Sequence, residues 1–212
     1  MPDRIAVDAL TTLLAAEPAL ADHAAGWKVA LNFPGVQRKL GLTHALAAPL
    51  RSLQTYSPGD SLSPAVHVEA EVALRLAADV RSASEPLVVE WAAPCLELVD
   101  YALSRDGLGA MFAHSFFHAG IVLGTPCPLA KLSLPTPYPR AGERERLPGS
   151  VPDDLLDALD GLRALVIAAG GALRKGQLVL CGSYIEPVPL AQRVDVDFGP
   201  ALGTLSISRE FG

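Results

Sequence analysis

The chain has 212 residues, half of them apolar, 19% charged and 6% aromatic, with a formal net charge of −6. That length suits one large domain or two small ones and buries about 70% of the unfolded surface, and the composition excludes a disordered chain. The acidic balance excludes nucleic-acid binding, which needs clustered Lys and Arg to displace counterions. Cys95, Cys127 and Cys181 are scattered and form no C-x-x-C, so neither a disulfide framework nor a zinc knuckle is indicated. The opening residues lack the apolar stretch of a signal peptide, and no run approaches the roughly 18 apolar residues of a membrane span. A cytoplasmic protein with no membrane partner is expected.

In chain order, Val7, Leu10 and Leu14 at helical spacing predict a helix over 3–16, stopped by Pro18, within an N-terminal helical segment of residues 1–25. Gly26 to Leu31 reads as a short strand, turned by Asn32-Phe33-Pro34-Gly35 into a brief helix from Val36 to Leu40. The Ser-, Pro- and Gly-rich stretch from Ala47 to Ser63 predicts a surface loop. A strand follows from Pro64 to Leu74, and after a turn around Arg81 to Pro86 a second runs from Leu87 to Leu103. Further strands are predicted at Ala119–Leu123, Lys131–Leu134, Gln177–Cys181, Gln192–Phe198 and Thr204–Ser208. Residues 135–150 read as an exposed Pro- and Arg-rich loop. The clearest helix runs from Pro152 to Ala169, with Ser150 as N-cap, Asp153 three residues on, and Gly170-Gly171 as the stop.

The strand from Pro64 carries the chemistry. Val66, Val68, Ala70, Val72 and Leu74 alternate with His67, Glu69, Glu71 and Ala73, so both glutamates share one face. Side chains two apart on a strand are roughly 6.5–7 Å apart at the backbone. Two such carboxylates repel unless something positive lies between them, and a hard divalent cation answers that need. Two solvated surface glutamates fit the bare pattern equally well. The next strand offers Glu97 and Asp100, which point to opposite faces, so only one can join the first two. His114 and His118, four apart, would share a helical face as a metal pair if that segment were helical, although no H-E-x-x-H accompanies them. His67 shares the face of the two glutamates. Ser183 after Gly182 lacks a nucleophile-elbow pattern and reads as a ligand-contacting hydroxyl.

Taken together, Gly26-Trp27-Lys28-Val29, Val68-Glu69-Ala70-Glu71-Val72, Pro94-Cys95-Leu96-Glu97-Leu98-Val99-Asp100, Gly176 to Ser183, and Val194-Asp195-Val196-Asp197-Phe198-Gly199-Pro200 resemble the fumarylacetoacetate hydrolase superfamily. The nearest branch is that of the 2-keto-4-pentenoate hydratases. The resemblance implies an α+β fold, a mostly β barrel-like roll with flanking helices, with residues 1–212 forming one hydratase-like domain that assembles into homo-oligomers. It also implies a divalent metal, magnesium or alternatively manganese, on Glu69, Glu71 and Glu97, with Asp100 behind them and Lys28 catalytic. Gly182 and Ser183 would contact a small 2-oxo or dienol carboxylate, and a lysine beside a metal is expected to have a lowered pKa. The implied activity is hydration of a 2-hydroxy-2,4-dienoate to a 4-hydroxy-2-oxo acid in aromatic catabolism. A decarboxylase or C–C hydrolase on the same fold, or a non-catalytic ligand-binding paralogue, are the alternatives. The chain departs from the branch in three places. The stretch from Ala77 to Trp91 is short, the loop from Pro135 to Gly149 replaces an N-G, G-x-G and L-G-H-P region, and Ala113-His114 stand where relatives carry Asp-Asn.

Overall fold

The computed structural model describes residues 3–57, 60, 62, 65–103, 107–134, 138–151 and 155–209. The expected N-terminal helix forms as α1 (Arg4–Ala16), whose Ala6, Leu10 and Leu14 face is buried. Each buried leucine contributes about 1.5–3 kcal/mol of transfer free energy. Pro18 does end α1, and it also opens α2 (Pro18–His23) at the first helical position, where its missing N–H costs nothing. The chain continues through β1 (Gly26–Ala30), α3 (Pro34–Leu40), β2 (Leu46–Leu50), β3 (Val66–Leu76), β4 (Val89–Asp100), α4 (Leu108–Ala113) and β5 (His118–Leu123). It closes with α5 (Leu155–Ala168), β6 (Leu178–Leu180), β7 (Val188–Pro189), β8 (Arg193–Asp197) and β9 (Thr204–Ser208).

Seven strands form one curled mixed sheet in the order β2-β1-β6-β3-β4-β5, with β7 added beside β3. β1 and β6 are parallel and the remaining pairs in this sheet antiparallel. One edge of β3 is shared: β6 pairs with Ala73–Arg75 and β7 with His67–Val68. Between them the chain bows away, its backbone tied to that of β3 by Cys181 N to Val72 O and Tyr184 N to Ala70 O. That bow lies beside Glu69 and Glu71. The even-numbered residues of β3 pack into the large core beneath α1 and α5, while Ala73 joins Leu50, Cys95, Ile121, Leu178 and Leu180 in a smaller apolar cluster on the other face. The α+β, barrel-like expectation therefore holds, and α5 buries Leu155, Leu159, Leu162, Leu165 and Val166.

Two expectations are corrected. Ala47–Leu50, the start of the predicted loop, belong to the fully buried strand Leu46–Leu50 paired with β1. Pro49 is tolerated because β2 is the edge of the sheet, where a missing N–H breaks no ladder. The predicted strand at Lys131–Leu134 is absent: Leu129–Lys131 form a single 3-10 turn, Leu132 N closes onto Leu129 O, and Leu134 O accepts from Arg146. A four-residue run following Pro128 finds no partner edge. Pro58, Gly59, Ser61, Ser63 and Pro64 of the predicted loop and strand start, Pro135 to Pro137 of the later loop, and the helix start at Pro152 with Asp153 lie outside the described residues. Ser150 gives its hydroxyl to the carbonyls of Leu147 and Tyr184. Residues 142–145 are exposed, but Arg140 exchanges both backbone bonds with Asp197 and Ala141 is buried.

Candidate metal centre

The β3–β4 register sets Glu69 directly opposite Glu97 and Glu71 opposite Cys95, so three carboxylates converge on one face of the curled sheet. One oxygen from each of Glu69, Glu71 and Glu97 lies within 4.8 Å of the other two. Glu71 and Glu97 are fully buried and Glu69 is partly exposed. Lys28 arrives from β1, level with Leu180 at the end of β6, and its Nζ donates to Glu97 Oε1 at 2.5 Å.

The backbone completes the enclosure. Gly182, in the bow after β6, donates its N–H to Glu71 Oε2 at 2.9 Å. Its φ of +93° and the approach of Asn32 Cγ to 2.9 Å from where a Cβ would stand explain why glycine occupies this position. Asn32 donates to the carbonyls of Ser150 and Ser183, stitching two loops behind the site. Ser115, Phe116 and Phe117 form a buried left-handed turn, with φ of 48°, 49° and 70°. Each such residue costs on the order of 1–3 kcal/mol, and strain of this kind concentrates at functional sites. The turn aims the Phe116 carbonyl at Lys28 Nζ, 3.4 Å away.

Burial pushes the Glu69 carboxyl up to about 7, despite the opposing pull of Lys28. Burial, with Glu97 and Glu69 beside it, pushes Glu71 well above the usual carboxylate range. Glu97 differs: burial raises it, but the Lys28 ammonium and His118 bring it down to about 2. Two acids inclined to keep protons thus flank one that does not. For Lys28, burial acts to lower the pKa, yet Glu97, Glu69 and Glu71 outweigh it and hold the amine above its ordinary value. The lowering expected beside a bound metal thus does not arise in the metal-free centre, where three carboxylates surround the amine.

The donor set fits a hard divalent cation. Glu71 Oε1 and Glu97 Oε2 are buried without a hydrogen-bond partner among the described residues, and all the donors are carboxylate oxygens. An orphaned buried carboxylate oxygen is costly unless a cation or a donor completes it.

The other predicted residues fall as follows. Asp100 ends β4, and its carboxylate accepts from Ala102 N, closing a turn. Ser183 is buried and its hydroxyl donates to the Ile185 carbonyl at 2.8 Å. His67 bonds the Ala65 carbonyl and lies against Tyr101, ring centroids 4.8 Å apart. Tyr101 in turn donates its hydroxyl to Glu69 Oε1 at 3.2 Å. The helical pair of His114 and His118 is corrected: α4 ends at Ala113 and the left-handed turn separates the two residues. His118 instead opens β5 and sets Nδ1 2.8 Å from Glu97 Oε1. A β-bulge after Leu98, which pairs Leu98 with Gly120 but Val99 with His118, turns this ring onto the face of Glu97. Sequence reasoning missed Tyr101 as a site residue and placed His118 in a helical pair instead of beside Glu97. The adjacent strand pairing carries His118, but no periodic pattern announces a one-residue bulge.

The fold is that of the fumarylacetoacetate hydrolase superfamily. The chain superposes on 4-oxalocrotonate decarboxylase from Pseudomonas putida G7, solved with magnesium and adipate, at a TM-score of 0.76 and 15% identity, covering 97% of this chain and 85% of that one. A protein from Yersinia pestis CO92 assigned to the fumarylacetoacetate hydrolase family matches at 0.58 and 15%, over 87% of this chain and 92% of its own. Fumarylpyruvate hydrolase from Pseudomonas aeruginosa, solved with Mn2+ and pyruvate, matches at 0.53 and 15%, over 88% and 89%. At this level of identity the likeness is one of fold. No protein-family model and no curated protein matches the chain. Among the described residues, no helix is long and apolar enough to cross a membrane.

Proposed function

We propose that this chain is a metal-dependent enzyme of the fumarylacetoacetate hydrolase type that hydrates a small 2-hydroxy-2,4-dienoate to a 4-hydroxy-2-oxo acid. The observation that carries the reading is the convergence of Glu69, Glu71 and Glu97 with orphaned oxygens beside a buried lysine. These three carboxylates would hold the cation, magnesium or manganese, in keeping with the metals bound in neighbours of the same fold. When bound, such a cation supplies Lewis-acid polarisation of the substrate's 1-carboxylate and 2-oxygen.

The remaining work falls to the chain. Lys28, held against Glu97, donates a hydrogen bond or a proton from Nζ to the substrate's enol oxygen or carbon. Glu97 anchors that amine through Oε1. Gly182 N–H fixes Glu71, and the Tyr101 hydroxyl fixes Glu69, so the ligand set is ordered before substrate arrives. The apolar cluster of Leu50, Ile121, Leu178 and Leu180 flanks the charged groups and keeps water from them.

A second reading, decarboxylation of a 2-oxo acid, draws on the likeness to 4-oxalocrotonate decarboxylase. It would use the same polarised oxygens and release carbon dioxide instead of adding water. Magnesium titration followed by thermal unfolding tests the centre: the parent gains stability and Glu71→Gln does not. Ultraviolet decay of 2-hydroxypenta-2,4-dienoate, with and without chelator, then tests turnover, and product analysis separates hydration from decarboxylation. A parent that neither binds metal nor turns over this substrate is instead a non-catalytic ligand-binding paralogue.

A further inference from the structure

Each of the three glutamates has one oxygen already taken by a donor of the protein. Glu71 Oε2 accepts from the Gly182 amide at 2.9 Å, Glu97 Oε1 from Lys28 Nζ at 2.5 Å, and Glu69 Oε1 from the Tyr101 hydroxyl at 3.2 Å. His118 Nδ1 stands 2.8 Å from that same Glu97 oxygen. The other oxygens of the two fully buried residues, Glu71 Oε1 and Glu97 Oε2, are the ones without a hydrogen-bond partner among the described residues. The arrangement offers a cation one oxygen from each carboxylate rather than two.

That difference separates ions by size. Calcium takes about six to eight oxygens at roughly 2.3–2.6 Å, often both from one carboxylate, whereas magnesium takes about six at roughly 2.0–2.1 Å and keeps several waters. Three single-oxygen ligands leave a magnesium ion half its shell for substrate and water, but they are few for calcium.

The three holds are unequal. Glu71 is held by backbone and Glu97 by a buried ion pair. Glu69 is partly exposed, and its hold is one hydroxyl at a distance longer than is usual for O–H···O. The Tyr101 ring that carries this hydroxyl is itself packed on two neighbours, with ring centroids 4.8 Å from His67 and 5.5 Å, edge-on, from Phe117. Its hydroxyl can therefore be removed without disturbing the ion pair, the backbone or the packing.

We propose that Tyr101 is a positioning residue that sets which ion the centre accepts: by holding Glu69 Oε1 it keeps that carboxylate to one ligating oxygen and biases the centre against calcium. This rests on the metal-dependent reading above and adds how its ion is chosen.

Calorimetric titration with magnesium and with calcium, for the parent and for Tyr101→Phe, tests it. The ratio of the two affinities is the readout, because proton release and any loosening of the fold act on both ions alike and cancel. In Tyr101→Phe the ratio moves about tenfold toward calcium, the scale of one hydrogen bond. Infrared difference spectra give a second readout, since the spacing of the two carboxylate stretches distinguishes one-oxygen from two-oxygen ligation. The two-oxygen pattern is expected for calcium-loaded Tyr101→Phe and not for the calcium-loaded parent. A Tyr101→Phe protein with the parent's ratio, one weakened equally toward both ions, or a calcium-loaded parent that already shows two-oxygen ligation overturns the inference and leaves the metal-dependent reading standing. Should Tyr101→Phe fail to fold, the parent's spectrum alone decides. A parent that binds neither ion overturns the reading and the inference together.

Discussion

The Lys28 ammonium and the Glu97 carboxylate meet at 2.5 Å with both side chains removed from water. Breaking a buried ion pair from one side leaves the other charge stranded, at a cost of about 3–5 kcal/mol. Lys28→Met is therefore expected to unfold well below the parent in chelator. Magnesium should restore more stability to it than to the parent, because the cation then has three unneutralised carboxylates to itself. Turnover should nonetheless fall at least 100-fold, within the range a positioned proton donor contributes. Thermal melts with and without chelator, set beside a rate assay, check all three outcomes.

The pH dependence of the metal-free protein has a definite sign. Glu69 is raised to about 7 by burial, and Glu71 is also raised well above its unfolded value of 4.5 by burial and by Glu97 and Glu69 beside it. A carboxyl raised on folding contributes its full stability below the unfolded value and loses it as pH climbs through the folded one. Glu97, lowered to about 2, acts in the opposite sense, and its contribution disappears only as pH falls below 4.5 toward that value. Between pH 4.5 and 7 the chelated protein is therefore expected to lose stability as pH rises. Excess magnesium should flatten that decline, and Glu71→Gln should shrink it. Melting temperatures across the window decide.

Gly182→Ala places a Cβ 2.9 Å from Asn32 Cγ on a residue whose φ is +93°. The expected cost is about 1–3 kcal/mol. Because the Gly182 amide holds Glu71 Oε2, magnesium affinity should weaken with it, by about tenfold in a calorimetric titration. Gly161→Ala is the contrasting case. It lies within α5 with open space around the added methyl, and helix propensity predicts a gain of about 0.5–1 kcal/mol.

Asn32→Ala removes two donors at once, from the Ser150 and Ser183 carbonyls at 2.6 and 2.7 Å. Carbonyls left without partners cost about 1–3 kcal/mol each when buried. Denaturant unfolding should show a midpoint shift without a change of slope, since the surface exposed on unfolding is unaltered.

Much of the centre is written in local pattern. Strict alternation from Val66 to Leu74 put Glu69 and Glu71 on one face, and the three-residue offset of Glu97 and Asp100 divided them correctly between faces. What escaped was whatever depends on distant pairing. Ala47–Leu50 reads as a loop because Ala-Ala-Pro carries no strand signal, and pairing along β1 makes it a strand. His118 reads as half of a helical histidine pair. A chain reversal through three left-handed residues and an unpaired Ala119 decide otherwise, and both are tertiary facts. The sign of the Lys28 shift likewise follows from three carboxylates gathered from two other strands.

The parallel pairing of Gly26–Lys28 with Leu178–Leu180 joins an early strand to a late one. During synthesis the acidic hairpin of β3 and β4 emerges long before the segment that locks its counter-charge alongside. The electrostatic knot closes only once β6 has formed beside β1, a contact of long sequence separation. A prematurely terminated product would carry self-repelling glutamates and a naked strand border, a natural flag for quality-control proteases.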